Sequence, residues 1–194
     1  MIGQITPLVQ VAGKRAWFAA AAAHIIGAAL SAALLGFCLG LAGLVLALGR
    51  LGAVANLIAA LVFFACALRD AALLKWWMPT LTRQTPKSAR CVFGTTWSAL
   101  VWGVDLGQGW STRIVFSGYY ALIVWALLTA QPFLGAAVLG AFGCARGAPV
   151  LLAGVRSGRP ATAQLAEVCA RPATLLFRMD AAIVAVVAGR LLVG

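Results

Sequence analysis

The segment Gly94–Thr112 reads GTTWSALVWGVDLGQGWST, an apolar, glycine-rich run with one acid, Asp105, near its middle. The same pattern occurs earlier at an offset of 67 residues. Gly94, Ser98, Ala99, Gly103, Leu106 and Gly107 fall on Gly27, Ser31, Ala32, Gly36, Leu39 and Gly40, so both stretches read G-x-x-x-S-A-x-x-x-G-x-x-L-G. Residues four apart share a helix face. Gly27 with Ser31, Gly36 with Gly40, Gly94 with Ser98 and Gly103 with Gly107 are therefore small-x-x-x-small pairs, the pattern that lets helix backbones approach closely in lipid.

The composition sets the environment of this repeat. The 194 residues are 63% hydrophobic and 10% charged, with a mean hydropathy of +1.01, far from the roughly 45–50% apolar and 25% charged of soluble domains. The runs Trp17–Gly49 and Leu51–Leu68 each reach the roughly 20 residues that cross a bilayer core. Peptide groups in that core must bond internally, so spans are helices or closed barrels. These runs lack the alternation of barrel strands, which leaves helices. The expectation is an integral membrane protein of a prokaryotic cytoplasmic membrane, all-α, and a single transmembrane domain over 1–194.

The net charge of +11 does not point to nucleic acid, because no polar domain remains to bind it. The basic residues gather where runs end. Lys14 and Arg15 precede the first, Arg50 separates two, and Arg69, Lys75, Arg83, Lys87 and Arg90 crowd one connection. Such loops lie against anionic headgroups on the cytoplasmic side. Trp76 and Trp77 beside Lys75 suit an interfacial anchor, and Pro79 and Pro86 mark the same stretch as a loop. If this loop is cytoplasmic, three crossings place the N terminus outside. The apolar run after Lys14 and Arg15 exceeds the 7–15 residues of a signal-peptide core, so it reads as an uncleaved span.

As one straight helix, Trp17–Gly49 would extend about 50 Å, against a hydrocarbon thickness of roughly 30 Å. A break is therefore expected near Gly36, Gly40 and Gly43. A second internal likeness, offset by 77, lays Ala136, Ala137, Arg146 and Ala148 over Ala59, Ala60, Arg69 and Ala71. The organisation expected is repeat one over 16–74, a basic loop over 75–90, repeat two over 91–153 and a C-terminal segment over 154–194. Two copies of three spans face opposite ways, the inverted-repeat plan of many secondary transporters. That gives a polytopic bundle of six spans with glycine-broken first helices. A seventh follows if Pro172–Gly194, which carries Arg178 and Asp180, also crosses.

An ionisable group inside a membrane helix is costly and by default marks a function, which singles out Asp105; pairing with Arg113 or a place near the surface is the structural alternative. At the offset of 67 its counterpart is Cys38. His24, the single histidine, suits proton or cation handling, against the plainer reading of a side chain hydrogen-bonded between helices. Ser31, Ser98 and Gln108, with Ser111 and Thr112, either line a wet path or cap helix ends. Arg69 and Arg146 read as snorkelling residues. Cys38, Cys66, Cys91, Cys144 and Cys169 form no C-x-x-C pair or metal spacing, and free cysteine often behaves as a small buried hydrophobe. No metal site, cofactor or catalytic set is read.

The repeated motif resembles that of the CcdA/DsbD transmembrane superfamily, which includes cytochrome c biogenesis and methylamine-utilisation membrane proteins; the likeness covers most of Ala16–Ala153. It implies two inverted three-helix repeats whose broken first helices meet centrally. In redox members each of those helices carries a cysteine beside prolines. Here Cys38 matches one and Asp105 stands at the other, with no adjacent proline at either. A thiol exchange relay needs two thiols. The leading expectation is thus movement of a small solute or ion past Asp105, with Cys38, His24, Ser31, Ser98 and Gln108 nearby. The alternatives are thiol-disulfide electron transfer with a thioredoxin-like partner, and a non-catalytic subunit that packs into a larger membrane complex through Gly27, Gly36, Gly40, Gly94, Gly103 and Gly107.

Overall fold

The computed structural model describes residues 2–74, 89–109, 117–151 and 182–191, with side chains for 15–74, 94–109, 117–151 and 182–191. The basic loop with Trp76, Trp77, Pro79 and Pro86, the end of the motif segment at Ser111 and Thr112, Arg113, and the polar connection with Arg156, Arg159, Glu167, Arg171, Arg178 and Asp180 lie outside the described residues. All regular structure among the described residues is helical: α1 Ile2–Val45, a 3-10 turn Leu48–Leu51, α2 Ala53–Asp70, α3 Ala89–Gln108, α4 Gly118–Thr129, α5 Pro132–Gly147 and α6 Ala182–Leu191.

Among the described residues, three stretches are long and apolar enough to cross a membrane: Arg15–Val45, Ala53–Asp70 and Pro132–Leu151. Gly118–Thr129 and Ala182–Leu191 are shorter apolar helices. Large apolar side chains point outward, among them Leu30, Leu34, Leu57, Leu61, Phe64 and Phe133, while alanine and glycine fill much of the inside. This inside-out distribution suits lipid, which offers no hydrophobic drive for burying large side chains and rewards close backbone packing instead.

The chain forms two compact units, each drawing on both halves of the sequence. The first comprises Met1–Ala33, Leu81–Thr112 and Gly140–Arg171. In it, α1 and α3 touch with the same sense. His24 lies against Ala99 and Gly103, and Ser31, about two turns later, lies against Val104 and Gly107. The later part of α5 passes α1 in the opposite sense, with Gly147 at Ile25, Gly143 at Ala28 and Ala32, and Gly140 at Ala33. Trp17, Ala21, Trp102 and Val150 form its apolar core.

The second unit comprises Leu34–Thr80, Arg113–Leu139 and Pro172–Gly194. Here α1 continues antiparallel to the start of α5, with Gly36 on Gly135 and Gly40 on Gln131 and Pro132. Phe37 meets Phe133 edge-on at a centroid separation of 5.7 Å. Helix α2 runs antiparallel to α4. Its first half packs Ala55 and Ala59 on Leu128, and its second half packs Phe63, Cys66 and Ala67 around Ala121, with Val184 and Ala188 of α6.

Two expectations are corrected. The first helix is not broken at Gly36, Gly40 or Gly43; α1 is continuous to Val45. It ends instead through Ala47, in the left-handed region at φ 53° and ψ 29°, followed by the 3-10 turn and Gly52 at φ 50°. The reason is contact. A Cβ on Gly36 would strike the Gly135 carbonyl and one on Gly43 the Leu127 carbonyl, so the missing side chains admit neighbouring backbones while the helix hydrogen bonds stay intact. The glycine break does occur in the second copy, at Gly94, with φ 69° and ψ 174° inside α3, a backbone conformation essentially confined to glycine. Secondly, α1 and α3, which carry the two motif copies, run in the same sense where an inverted repeat makes them opposed.

Gly36→Ala is expected to lower the free energy of unfolding by about 1–3 kcal/mol, the usual scale of overpacking. Gly49→Ala, whose Cβ would meet Ala130 Cβ at an ordinary 3.5 Å, is expected to change it by less than about 0.5 kcal/mol. Denaturation of detergent-purified protein followed by tryptophan fluorescence checks both.

Candidate functional site

The polar side chains of the first unit gather along the α1–α3 contact. His24 is buried, and its Nδ1 lies 3.2 Å from the Ala99 carbonyl oxygen. A carbonyl only accepts, so this bond requires the proton on Nδ1. Ser31, also buried, donates from Oγ to the Val104 carbonyl at 2.9 Å. The approach that makes these bonds comes from the glycines beside them. A Cβ on Gly27 would lie 2.5 Å from the Leu100 carbonyl oxygen, and Cβ atoms on Gly103 and Gly107 would strike the His24 and Ala28 carbonyls.

The two copies of the motif use their matching residues differently. Gly27 is an ordinary helical residue pressed on α3, whereas Gly94 is the kink and has open space around it. Ser31 bonds across to α3, whereas Ser98, equally buried, donates to the Thr95 carbonyl of its own helix at 3.0 Å. Sequence identity within the motif therefore does not carry identity of contact.

Asp105 and Gln108 lie in the last turns of α3, both half-buried and both engaged with other groups. Beside them, Arg146 of α5 donates from its guanidinium to the Leu106 carbonyl at 3.0 Å. The sequence reading sends Arg146 to the headgroups; in the structure it answers the carbonyl end of α3, where the helix dipole favours a cation. The first unit thus holds His24, Ser31, Ser98, Asp105 and Gln108, while Cys38 is exposed on the portion of α1 that belongs to the second unit.

The second unit contains a site that the sequence reading does not single out. Asp70, the last residue of α2, has a side chain only 1% exposed. Its Oδ1 accepts from the Arg69 guanidinium at 3.2 Å, and its Oδ2 accepts from the Ser117 backbone N–H at 2.8 Å. Ser117, the residue preceding α4, turns its own Oγ to the Cys66 carbonyl at 2.9 Å. The carboxylate therefore sits at the positive end of α4 with both oxygens bonded, the condition under which a buried charge is tolerable. Arg69, read from sequence as snorkelling, is its partner. One signal points here: Asp70 is one of only four acids and closely follows an apolar run, beside Arg69.

Cys38, Cys66 and Cys144 are free thiols, Cys66 buried and the others exposed. Among the described residues no group of three His, Cys, Asp or Glu side chains is placed to hold a metal ion. No protein-family model, curated protein or solved structure matches this chain.

Asp70→Ala removes the acceptor from a buried backbone N–H and is expected to lower stability by about 1–3 kcal/mol. Leaving a charged Arg69 behind pushes the effect to the upper part of that range, moderated by its 25% side-chain exposure. The double variant Arg69→Leu/Asp70→Leu is expected to recover part of the loss, because it leaves no unpaired charge; comparing the two by detergent unfolding separates charge pairing from helix capping.

Proposed function

We propose that this chain is an integral membrane protein that moves a small solute or ion across the bilayer, with Asp105 as the charged group on the path. The supporting observation is the placement of its acids. Of the four in the sequence, the two within described residues, Asp70 and Asp105, lie in helices of an apolar bundle and are buried and half-buried respectively. Acids are rare in such helices and generally face an interior or a wet cavity. Asp70 is accounted for by its bonds to Arg69 and Ser117. Asp105, half-buried on the helix interrupted at Gly94, is the acid assigned to the path.

The remaining candidates divide by what they touch. His24 and Ser31 hold α1 to α3 through backbone carbonyls and act as scaffold. Cys38 belongs to the other unit and enters the proposal only as the repeat counterpart of Asp105. The CcdA/DsbD likeness enters as a plan of glycine-packed helices and not as a thiol relay, since one of the two motif helices carries an acid where a second thiol is needed. The proposal keeps a polytopic bundle with a duplicated motif and leaves out the inversion, because α1 and α3 run in the same sense. A role as a packing subunit draws no support from Gly27, Gly36, Gly40, Gly103 and Gly107, which are occupied inside the chain.

Purified protein in proteoliposomes tests the reading. Proton entry under an imposed potential, read by an internal pH dye, and urea or glycerol permeation, read by stopped-flow light scattering, cover the ion and solute cases. Wild type is expected to exceed empty vesicles in one assay, with Asp105→Asn losing at least about tenfold in rate, a barrier increase of about 1.4 kcal/mol. Equal rates in wild type and Asp105→Asn remove Asp105 from the path.

A further inference from the structure

In the second unit, two exposed arginines from separate parts of the sequence stand beside residues that share one apolar cluster. Leu48, in the 3-10 turn after α1, and Leu191, the last residue of α6, both pack on the cluster of Ala55, Ala59 and Leu128. Arg50 follows Leu48 by two residues and Arg190 precedes Leu191, and both side chains are exposed. Helix α6 packs along α2: Val184 and Ala188 join Phe63 and Cys66 of its second half, and Leu191 touches both that cluster and the one with Ala55 and Ala59 in the first half. Among the described residues of this unit the acid is Asp70, at the opposite end of α2 from the 3-10 turn. The same turn also displays large apolar side chains, with Val45 77%, Leu46 64% and Leu51 41% exposed.

Two cations set among exposed apolar side chains match a boundary where phosphate meets acyl chain. An acidic protein surface would pair the guanidinium groups but leave Val45, Leu46 and Leu51 against polar atoms; water would do the same. Arginine pairs with phosphate through two parallel N–H bonds, and basic residues beside membrane helices favour anionic lipid. We propose that the end of the second unit formed by Leu48–Leu51 and the last turn of α6 is a docking surface for the phosphate headgroups of anionic phospholipids, with Arg50 and Arg190 as the contacts and Val45, Leu46 and Leu51 seated in the acyl boundary. This rests on the membrane reading above and is independent of the role of Asp105.

Full-length protein in neutral detergent, titrated with phosphatidylglycerol and followed by native mass spectrometry, provides the test. Each arginine near an anionic surface is worth about a fivefold change in affinity, so Arg50→Gln and Arg190→Gln are each expected to weaken binding about fivefold, and the double variant about 25-fold. Equal binding of phosphatidylglycerol and phosphatidylcholine by wild type, full binding by the double variant, or displacement of the lipid by millimolar inorganic phosphate would each overturn the assignment. Protein that stays in solution without detergent refutes the membrane reading itself; a detergent-dependent protein with no lipid preference refutes only the docking surface.

Discussion

Helix backbones in this protein approach until a single methyl group would no longer fit between them. Along α1, Gly27 faces a carbonyl of α3, Gly36 faces Gly135, and Gly40 faces Gln131 and Pro132. These contacts replace the burial of large side chains, because Leu, Ile and Phe are spent on the outside where lipid receives them. The hydrogen bonds of His24 and Ser31 depend on the same approach: a side-chain donor reaches a carbonyl of a neighbouring helix only when the helices are this close. Glycine in a helix interior is unfavourable by roughly 1 kcal/mol relative to alanine, and packing over the length of α1 offsets it.

Many of the polar groups join one element to another. His24, Ser31, Arg69, Asp70, Ser117 and Arg146 each satisfy a backbone group or a charge on another element or a neighbouring residue. Several acceptors are carbonyls of α3 near its middle and end. A donor brought to such a carbonyl supplements the helix bond or replaces one absent at the terminus. In an apolar setting this satisfies the polar side chain and stitches the bundle at the same atom. Asp105 is half-buried near the end of α3, and Arg50 and Arg190 are exposed.

The repeated motif shows how much a pattern can carry. Its spacing predicts close packing, and Gly27, Gly36, Gly40, Gly103 and Gly107 all pack closely. It does not say which copy bends. Gly94 adopts a backbone conformation closed to other residues, while Gly27 stays helical, since one has nothing within reach of its Cβ position and the other is held against Leu100 and Val104. Likewise, Ser31 and Ser98 share a motif position but not a partner: Ser31 donates across to the Val104 carbonyl of α3, and Ser98 to the Thr95 carbonyl of its own helix.

Composition and local periodicity determine the environment and element type: continuous apolar runs force internal hydrogen bonding, and that means helices. Small residues four apart likewise announce close helix contact, since both features depend on residues near in sequence. The end of α1 at Ala47 rather than at its glycines, the same-sense contact of α1 with α3, the pairing of Asp70 with Arg69 and Ser117, and the packing of Leu48 and Leu191 on one cluster are decided by tertiary structure. Each depends on which distant backbone comes within a few ångströms, a quantity to which local pattern is blind. A glycine reads the same whether it breaks a helix or admits a neighbour, and only the neighbour distinguishes the two.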